Sequence, residues 1–217
     1  MQSPAAFQAF LDALKLSETT PYDLQRDPEG LLQWSPIAQQ FANLYKCTIR
    51  DDPKKNRLSR LNNIASTIIN QFQVLVEDCR LSRFFYVDQE PRHERFAQLL
   101  FLAVAKLWCA ANDVGMSPEA DAGAGPVDFK FSDGGDTVLV EIKLSTNTQC
   151  VSGYKKQLDA YMKAEGTAYG HYVLIDVGKI GEKWERLQEM ARENPKFAIH
   201  KRLHLIDGHI RPSASHL

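Results

Sequence analysis

The fold is decided by the stretch Asp128-Phe-Lys-Phe-Ser-Asp-Gly-Gly-Asp-Thr-Val-Leu-Val-Glu-Ile-Lys143. Two consecutive glycines separate two runs of β-type residues in it, which is the pattern of a hairpin with a two-residue loop. If residues 134–135 form that loop, residues 133 and 136 pair and every later pair keeps the same register. This register places Asp128 directly opposite Glu141.

Side-chain alternation along the two strands predicts one apolar and one charged face. Successive side chains of a strand point to opposite faces of the sheet. The charged face of the predicted sheet carries Asp128, Glu141 and Lys143. We expect the apolar face to form the core and to fix the register, because a slip of one residue would bury the charges. The apolar face consists of Val127, Phe129, Phe131, Val138, Val140, Ile142 and Leu144.

The charged face has a composition that suits a metal ion. Two carboxylates directly opposite on a sheet repel each other, so Asp128 and Glu141 alone do not stabilise the hairpin. A hard divalent cation bound between them would turn this repulsion into attraction. A metal beside an ammonium, here that of Lys143, is an arrangement that can activate water against a phosphodiester. The alternative is an amphipathic hairpin whose charged face is simply solvated.

Elements on both sides of the hairpin predict an α/β fold. A strongly apolar helix precedes the hairpin, and helices and strands alternate after it. The resulting order, α-β-β-α-β-α-β, is typical of a small mixed central sheet flanked by helices. The predicted elements are a helix over 92–112, strands over 127–132 and 137–145, a helix over 152–165, a strand over 171–177, a helix over 182–192 and a strand over 197–206.

The N-terminal region is predicted to be helical. Ser3-Pro4 and Ser35-Pro36 are each typical of a helix start, in which an N-cap residue is followed by proline. A third helix is predicted over about 58–79, where apolar residues recur at helical spacing. We therefore divide the chain into a helical N-terminal region, 1–90, and an α/β domain, 91–217.

Two short motifs of the chain resemble those of one known superfamily. The first is Pro126-Val127-Asp128, followed after the glycine turn by Glu141-Ile142-Lys143. The second is Gln157-Leu-Asp-Ala-Tyr161 in the following predicted helix. The first motif is similar to the signature of the PD-(D/E)XK nuclease superfamily, which has the restriction-endonuclease-like fold. The second resembles a helix motif of its RecB-like members. The resemblance covers roughly residues 90–177.

This resemblance implies a metal centre. It implies Asp128 and Glu141 as metal ligands, with the carbonyl of Ile142 as a further ligand. It also implies Lys143 as the catalytic lysine. The metal of such a centre would be Mg²⁺, with Mn²⁺ as a substitute.

The resemblance also implies further site residues, each with a plainer alternative. Gln157 and Tyr161 are catalytic candidates that lie one turn apart on one helix face. Tyr161 also belongs to an apolar stripe, so the alternative is an ordinary core residue. The preceding helix should supply an acid, for which we prefer Glu94 over Glu90 and Glu119. The alternative is that Glu94 has no role in a site and is an acid at a helix start that the helix dipole stabilises.

The whole-chain composition limits the class of protein. The 217 residues have a formal net charge of −1, so any nucleic-acid surface must be a local patch. No two of the four cysteines are close enough to form a zinc knuckle or redox pair, which suits a reducing cytoplasm. The polar start does not resemble a signal peptide, and the longest apolar run, 96–111, is too short to span a membrane. We expect a cytoplasmic protein without membrane contact.

The charged face of the hairpin and the resemblance to the PD-(D/E)XK nucleases lead us to expect a Mg²⁺-dependent nuclease. Its substrate would be nucleic acid, with DNA expected, in restriction, repair or defence against foreign DNA. The alternative is a catalytically silent nuclease-fold module that binds nucleic acid or a protein partner. In either case we expect the N-terminal helices to supply contacts to a homodimer partner or another protein.

Overall fold

The computed structural model describes residues 56–121, 123, 125–193 and 200–211. The helix starts predicted at Ser3-Pro4 and Ser35-Pro36 lie outside these ranges. Within the described residues the fold is α/β, with a five-stranded mixed sheet flanked by helices, as the sequence predicts.

The element boundaries differ from the predicted ones by a few residues. One short hairpin, β1–β2, and one longer strand, β3, were not among the predicted elements. The helices are α1 (Arg57–Glu77), α2 (Arg95–Asn112), α3 (Cys150–Ser152), α4 (Leu158–Ala164) and α5 (Lys183–Glu193), with a 3-10 helix at Leu81–Phe85 and a π-helical turn at Gly153–Gln157. The strands are β1 (Tyr86–Val87), β2 (Glu90–Pro91), β3 (Gly115–Asp121), β4 (Pro126–Asp133), β5 (Asp136–Leu144), β6 (Tyr169–Asp176) and β7 (Lys201–Asp207).

The main sheet has the strand order β3-β4-β5-β6-β7. Strands β3, β4 and β5 are antiparallel neighbours, whereas β5, β6 and β7 run parallel to one another. The parallel strands need long crossover connections, and the helices from α3 to α5 provide them. The carboxyl ends of β5, β6 and β7 therefore lie at one edge of the sheet, where open α/β sheets commonly bind ligands.

The predicted hairpin register is confirmed as far as the strands remain paired. Asp133 pairs with Asp136, and the ladder continues to Phe129 opposite Val140. The loop glycines have φ values of 55° and 104°, which side chains with a Cβ rarely adopt. Beyond Phe129 the backbone pairing stops, one residue before Asp128.

Both faces of the sheet are covered by helices. Helices α1 and α2 pack on one face, where Phe101 contacts Phe72 and Phe129. The opposite face carries a second apolar cluster that includes Leu139, Tyr172 and residues of α4 and α5. The face that carries the charged residues is therefore buried at this end of the sheet instead of being solvated.

One residue lies on a different face from the one we predicted. Val127 was expected to share the face of Phe129, but it packs in the second cluster with Tyr161. The reason is that the ladder with β5 ends at Phe129, so the start of β4 is no longer held in the regular alternation. This prediction was wrong.

Helix α1 belongs to the same core as the sheet. Its N-cap, Asn56, accepts a hydrogen bond from the amide of Ser59 at 2.8 Å, and its apolar stripe is fully buried. The predicted boundary at residue 90 stays a prediction, but α1 lies before it and still shares one hydrophobic cluster with β4, β5 and β6. None of the described helices is long and apolar enough to cross a bilayer.

Candidate active site

The candidate site begins where β4 and β5 separate. The carboxylate of Asp128 occupies the gap, and its Oδ2 accepts a hydrogen bond from the backbone amide of Ile142 at 2.7 Å. Its Oδ1 accepts one from Nε2 of Gln98 on α2 at 2.8 Å. The amide of Asp128 in turn donates to Oε2 of Glu141 at 3.4 Å. Asp128 and Glu141 therefore lie next to each other, although a hydrogen bond from the Asp128 backbone amide to the Glu141 side chain joins them and not the predicted backbone pair.

Lys143 lies at the centre of the site. Its Nζ is 2.7 Å from Oε1 of Glu141, 3.1 Å from Oε1 of Glu94 and 3.8 Å from Oδ2 of Asp128. It also donates to the carbonyl oxygen of Ile142 at 3.3 Å. Four oxygens thus converge on one cation, and that cation is the ammonium of the chain itself.

Glu94 is brought to the site by the start of α2. It occupies the N-cap position of that helix, and its Oε2 accepts hydrogen bonds from the amide of Leu144 at 2.9 Å and from Nδ2 of Asn147 at 3.2 Å. Its other oxygen faces Lys143. The preferred candidate among the three acids therefore lies with the hairpin residues.

The other two candidates lie elsewhere. Glu90 is exposed on β2. Glu119 is exposed on β3 and pairs with Arg95 of α2. Neither contacts Asp128, Glu141 or Lys143 in the part of the chain that the structure describes.

Burial controls the electrostatics of the site. Glu141 is 2% exposed and Lys143 is 8% exposed. Burial and then the neighbouring charge of Glu141 raise the pKa of Asp128 to about 7. Burial also raises the pKa of Glu141, although Lys143 opposes this shift. For Lys143, burial lowers the pKa, but the attraction of Asp128, Glu141 and Glu94 outweighs it and raises the pKa overall.

The charges in the site do not balance. Three carboxylates face one ammonium, which would leave a net negative charge in a buried setting if all were ionised. An uncompensated buried charge is strongly unfavourable, so the site favours either a bound proton or a second cation. The raised pKa of Asp128 corresponds to the first option, a proton bound to this carboxylate.

The donor atoms fit a hard divalent metal. Asp128, Glu141, Glu94 and the carbonyl of Ile142 supply only oxygen, the donor that Mg²⁺ and Mn²⁺ prefer. Among the described residues no group of three or more acidic, histidine or cysteine side chains is placed so that it could hold a metal ion as it stands. The position on which the carboxylates converge is taken by the ammonium of Lys143.

Gln157 and Tyr161, the two residues of the predicted helix motif, lie on the side of the sheet that carries the second apolar cluster. Oε1 of Gln157 is buried and has no hydrogen-bond partner in the described part of the chain. A Cβ placed on Gly153 would stand 3.0 Å from this oxygen and 2.8 Å from the hydroxyl of Tyr172. Tyr172 is the β6 neighbour of Glu141. Gln157 therefore lies close to the strand next to the site.

Tyr161 packs in the second apolar cluster. Its hydroxyl would lie 3.7 Å from a Cβ on Gly125, in the loop before Asp128. The structure thus places Tyr161 as a core residue next to this loop. The catalytic roles of Gln157 and Tyr161 stay predictions.

Two site residues were missed by sequence reasoning. Gln98 holds Asp128, and Asn147 holds Glu94. The signal for Gln98 was its position one turn after Glu94, on the same side of an otherwise apolar helix. Asn147 stands in a loop, where no periodic pattern points to it.

Comparison with known proteins gives one match. Residues 61–179 match the model of a family described as a domain of unknown function, DUF8371. The matched residues make up more than half of the chain and include Glu94, Asp128, Glu141 and Lys143. No curated protein and no solved structure matches the chain significantly.

Proposed function

The chain belongs to the DUF8371 family of domains of unknown function, and we propose that it is a metal-dependent nuclease of the PD-(D/E)XK type. The observation that carries this proposal is the convergence of Glu94, Asp128, Glu141 and the Ile142 carbonyl on the ammonium of Lys143. The residues that resemble the superfamily signature are separated in the sequence and meet in one buried site at the carboxyl end of β5.

In the proposed enzyme the acids hold the metal and the lysine works beside it. Asp128 and Glu141 would be the principal ligands, with the Ile142 carbonyl and Glu94 as further oxygen donors. A bound Mg²⁺ supplies a water of lowered pKa and neutralises charge on the phosphate. The ammonium of Lys143 would orient the attacking water and stabilise the negative charge that develops on the phosphoryl oxygens.

Two hydrogen-bond donors keep the Asp128 carboxylate in place. The Ile142 amide and the Gln98 side chain each donate to one oxygen of Asp128, at 2.7 Å and 2.8 Å. Each carboxylate oxygen can accept more than one bond, so these contacts leave room for a metal. A ligand held in this way loses little conformational freedom when the ion binds.

A purely structural ion pair explains the site less well. One buried lysine needs one carboxylate, and further acids add repulsion and desolvation that hydrophobic residues of similar size would avoid. Here Lys143 is surrounded by three. The excess negative charge favours a site that takes up an additional cation.

The substrate class and the partners belong to the same proposal. DNA is the proposed substrate, with restriction, repair or defence as the setting. The alternative is a catalytically silent module that binds nucleic acid or a protein partner, and the absence of cleavage with any metal would favour it. Contacts to a homodimer partner or another protein through the N-terminal region remain part of the proposal.

The test is a digest of linear, circular and single-stranded DNA, and of RNA, with Mg²⁺, Mn²⁺ or excess chelator. The proposal expects cleavage that depends on the metal and that Asp128→Asn and Lys143→Ala abolish. Glu119→Gln is the matched control, because Glu119 is an acid of the same domain that pairs with Arg95 outside the site. Undiminished cleavage by Asp128→Asn, or cleavage in chelator, would contradict the proposal.

A further inference from the structure

A lysine outside the proposed metal centre is fixed at the end of the strand that carries Lys143. Lys183 is the first residue of α5, and its Nζ donates to the carbonyl oxygen of Ser145 at 2.5 Å and to that of Lys179 at 3.1 Å. Ser145 follows directly after β5, two residues beyond Lys143. The proposed metal centre does not include Lys183.

Lys183 and Glu94 flank the end of β5 from opposite sides. The amide of Ser145 donates to the carbonyl of Ile175 in β6 at 2.8 Å, and the carbonyl of Ser145 accepts from Lys183. The amide of Leu144, which points away from β6, donates to Oε2 of Glu94 at 2.9 Å. Two adjacent residues of one strand therefore hold Lys183 and Glu94 in fixed positions relative to each other.

The charges of Lys183 and Glu94 both reach the thiol of Cys150. Burial raises the pKa of this thiol, while the positive charge of Lys183 lowers the pKa and the negative charge of Glu94 raises it. Cys150 begins α3, the helix that follows the loop after β5. Lys183 thus belongs to the electrostatic surroundings of the proposed site, at the edge of the sheet where ligands of α/β proteins commonly bind.

The ammonium of Lys183 has no carboxylate partner among the residues that the structure describes. Its two partners are neutral carbonyl oxygens, and an ammonium has three donors, so one donor remains. The side chain is only partly buried, so a ligand can reach it. The adjacent acids of α5 are directed elsewhere. Glu182 pairs with Arg186 at 2.9 Å, and Glu185 lies two residues along the helix, a spacing at which side chains do not face each other.

The charge of the proposed metal centre explains why a nucleic acid would need a further cation. The three carboxylates around Lys143 carry three negative charges when ionised, and Lys143 with one divalent metal supplies three positive charges. The metal-loaded centre would therefore be neutral, whereas every phosphate of a nucleic acid adds one negative charge. Lys183 supplies an additional positive charge at the same edge of the sheet.

We propose that Lys183 binds the backbone phosphate next to the scissile one. The remaining donor of its ammonium contacts this phosphate, while the two carbonyl oxygens keep the ammonium in place. A lysine held in this way loses less side-chain freedom when the phosphate binds. The choice of a nucleic-acid phosphate rests on the proposed nuclease function, and the role of Lys183 goes beyond it. The alternative is a purely structural tie between α5 and β5.

The first measurement is binding without cleavage. A fluorescein-labelled DNA duplex is titrated with the full-length Asp128→Asn protein, and anisotropy is followed at several salt concentrations. Two changes are added to this background: Lys183→Gln, which keeps a donor but removes the charge, and Lys183→Arg, which keeps the charge. The matched control is Arg186→Gln, an exposed cation of the same helix that pairs with Glu182. Thermal melts of every variant measure the structural contribution.

Loss of the Lys183 charge should change the salt dependence of binding. Lys183→Gln should reduce the slope of log affinity against log salt by about 0.9, the value for one phosphate contact on duplex DNA. Lys183→Arg and Arg186→Gln should keep the parental slope. In the active protein with Mg²⁺, Lys183→Gln should raise KM about tenfold, the scale of one hydrogen bond to a charged group, and leave kcat nearly unchanged.

Two results would overturn the role of Lys183. One is an unchanged salt slope in Lys183→Gln. The other is an equal loss of slope and of melting temperature in both Lys183 variants, which would make the residue a structural tie. An active enzyme whose KM does not respond to Lys183→Gln defeats this inference alone. A slope that falls by one phosphate contact, in a protein that cleaves with no metal, defeats the nuclease proposal alone.

Discussion

The ammonium of Lys143 lies 2.7 Å from Oε1 of Glu141, and both side chains are buried. The same ammonium is 3.1 Å from Glu94 and 3.8 Å from Asp128. In the metal-free molecule the lysine therefore serves as the cation that holds three acids together. Under the proposed function a divalent metal would share or take over this role, so stability, metal binding and activity would depend on the same four side chains.

Lys143→Ala should destabilise the metal-free protein and increase its response to metal. The change leaves buried carboxylates without their cation, which typically lowers the free energy of unfolding by about 3–5 kcal/mol. Mg²⁺ should recover part of this loss, because it replaces the missing charge. Thermal melts with and without Mg²⁺ check this, with Lys130→Ala, whose partner Glu165 lies outside the site, as the control. A lysine variant whose melting temperature ignores Mg²⁺ would contradict the account.

Asp128→Asn and Asp128→Ala should affect stability differently. The asparagine oxygen can still accept from the Ile142 amide, and Gln98 can reverse its side-chain amide to accept from the new NH₂ group. The free energy of unfolding of Asp128→Asn should therefore stay within about 1 kcal/mol of the parent value, or rise because the repulsion with Glu141 is removed. The alanine variant leaves a buried amide without its acceptor and should lose about 1–3 kcal/mol. Urea denaturation in chelator measures both. A loss of several kcal/mol in the asparagine variant would make Asp128 a structural acid.

In the metal-free protein, the contribution of Asp128 to stability should fall as the pH rises from about 4 to about 7. Burial and then Glu141 raise the pKa of Asp128 from 3.8 to about 7. Within this window the folded protein keeps a proton on Asp128 that the unfolded chain has released. Since the folded state holds this extra proton at Asp128, the contribution of this residue to the free energy of unfolding falls as the pH rises. Urea denaturation of the parent and of Asp128→Asn across this window isolates the contribution, and identical pH dependences would contradict it.

Gln98→Ala should weaken metal binding without changing the ligands. Gln98 donates to Oδ1 of Asp128 and fixes its orientation. Loss of such a partner typically lowers metal affinity or activity about 10- to 100-fold. Gln73→Ala is the matched control, because Gln73 bonds to Glu77 and Leu205 away from the site. Equal Mn²⁺ affinities in the two variants would show that Gln98 does not support metal binding.

The core of the site was predictable from the sequence because it depends on a strict alternation. A two-residue glycine turn fixes the register, and the register brings Asp128, Glu141 and Lys143 together. Glu94, the acid preferred at the start of the apolar helix, also lies beside these residues and contacts Lys143. The fold class followed from the order of helices and strands.

The parts that were not predictable depend on three-dimensional packing. The end of the β4–β5 ladder at Phe129 moved Val127 to the other face and let the Asp128 carboxylate reach the Ile142 amide. Asn147 stands in a loop, where sequence periodicity carries no information. The position of the Lys143 ammonium among four oxygens follows from the meeting of α2, β4 and β5, which no single segment encodes.

Calorimetric titration with Mn²⁺ tests most directly whether these acids form a metal centre. The parent and Glu119→Gln should each bind Mn²⁺ at a site that Asp128→Asn and Glu141→Gln weaken by a large factor, while all four proteins keep the parent's circular dichroism spectrum. Equal Mn²⁺ binding by the parent and both site variants, or no binding by the parent, would contradict the account.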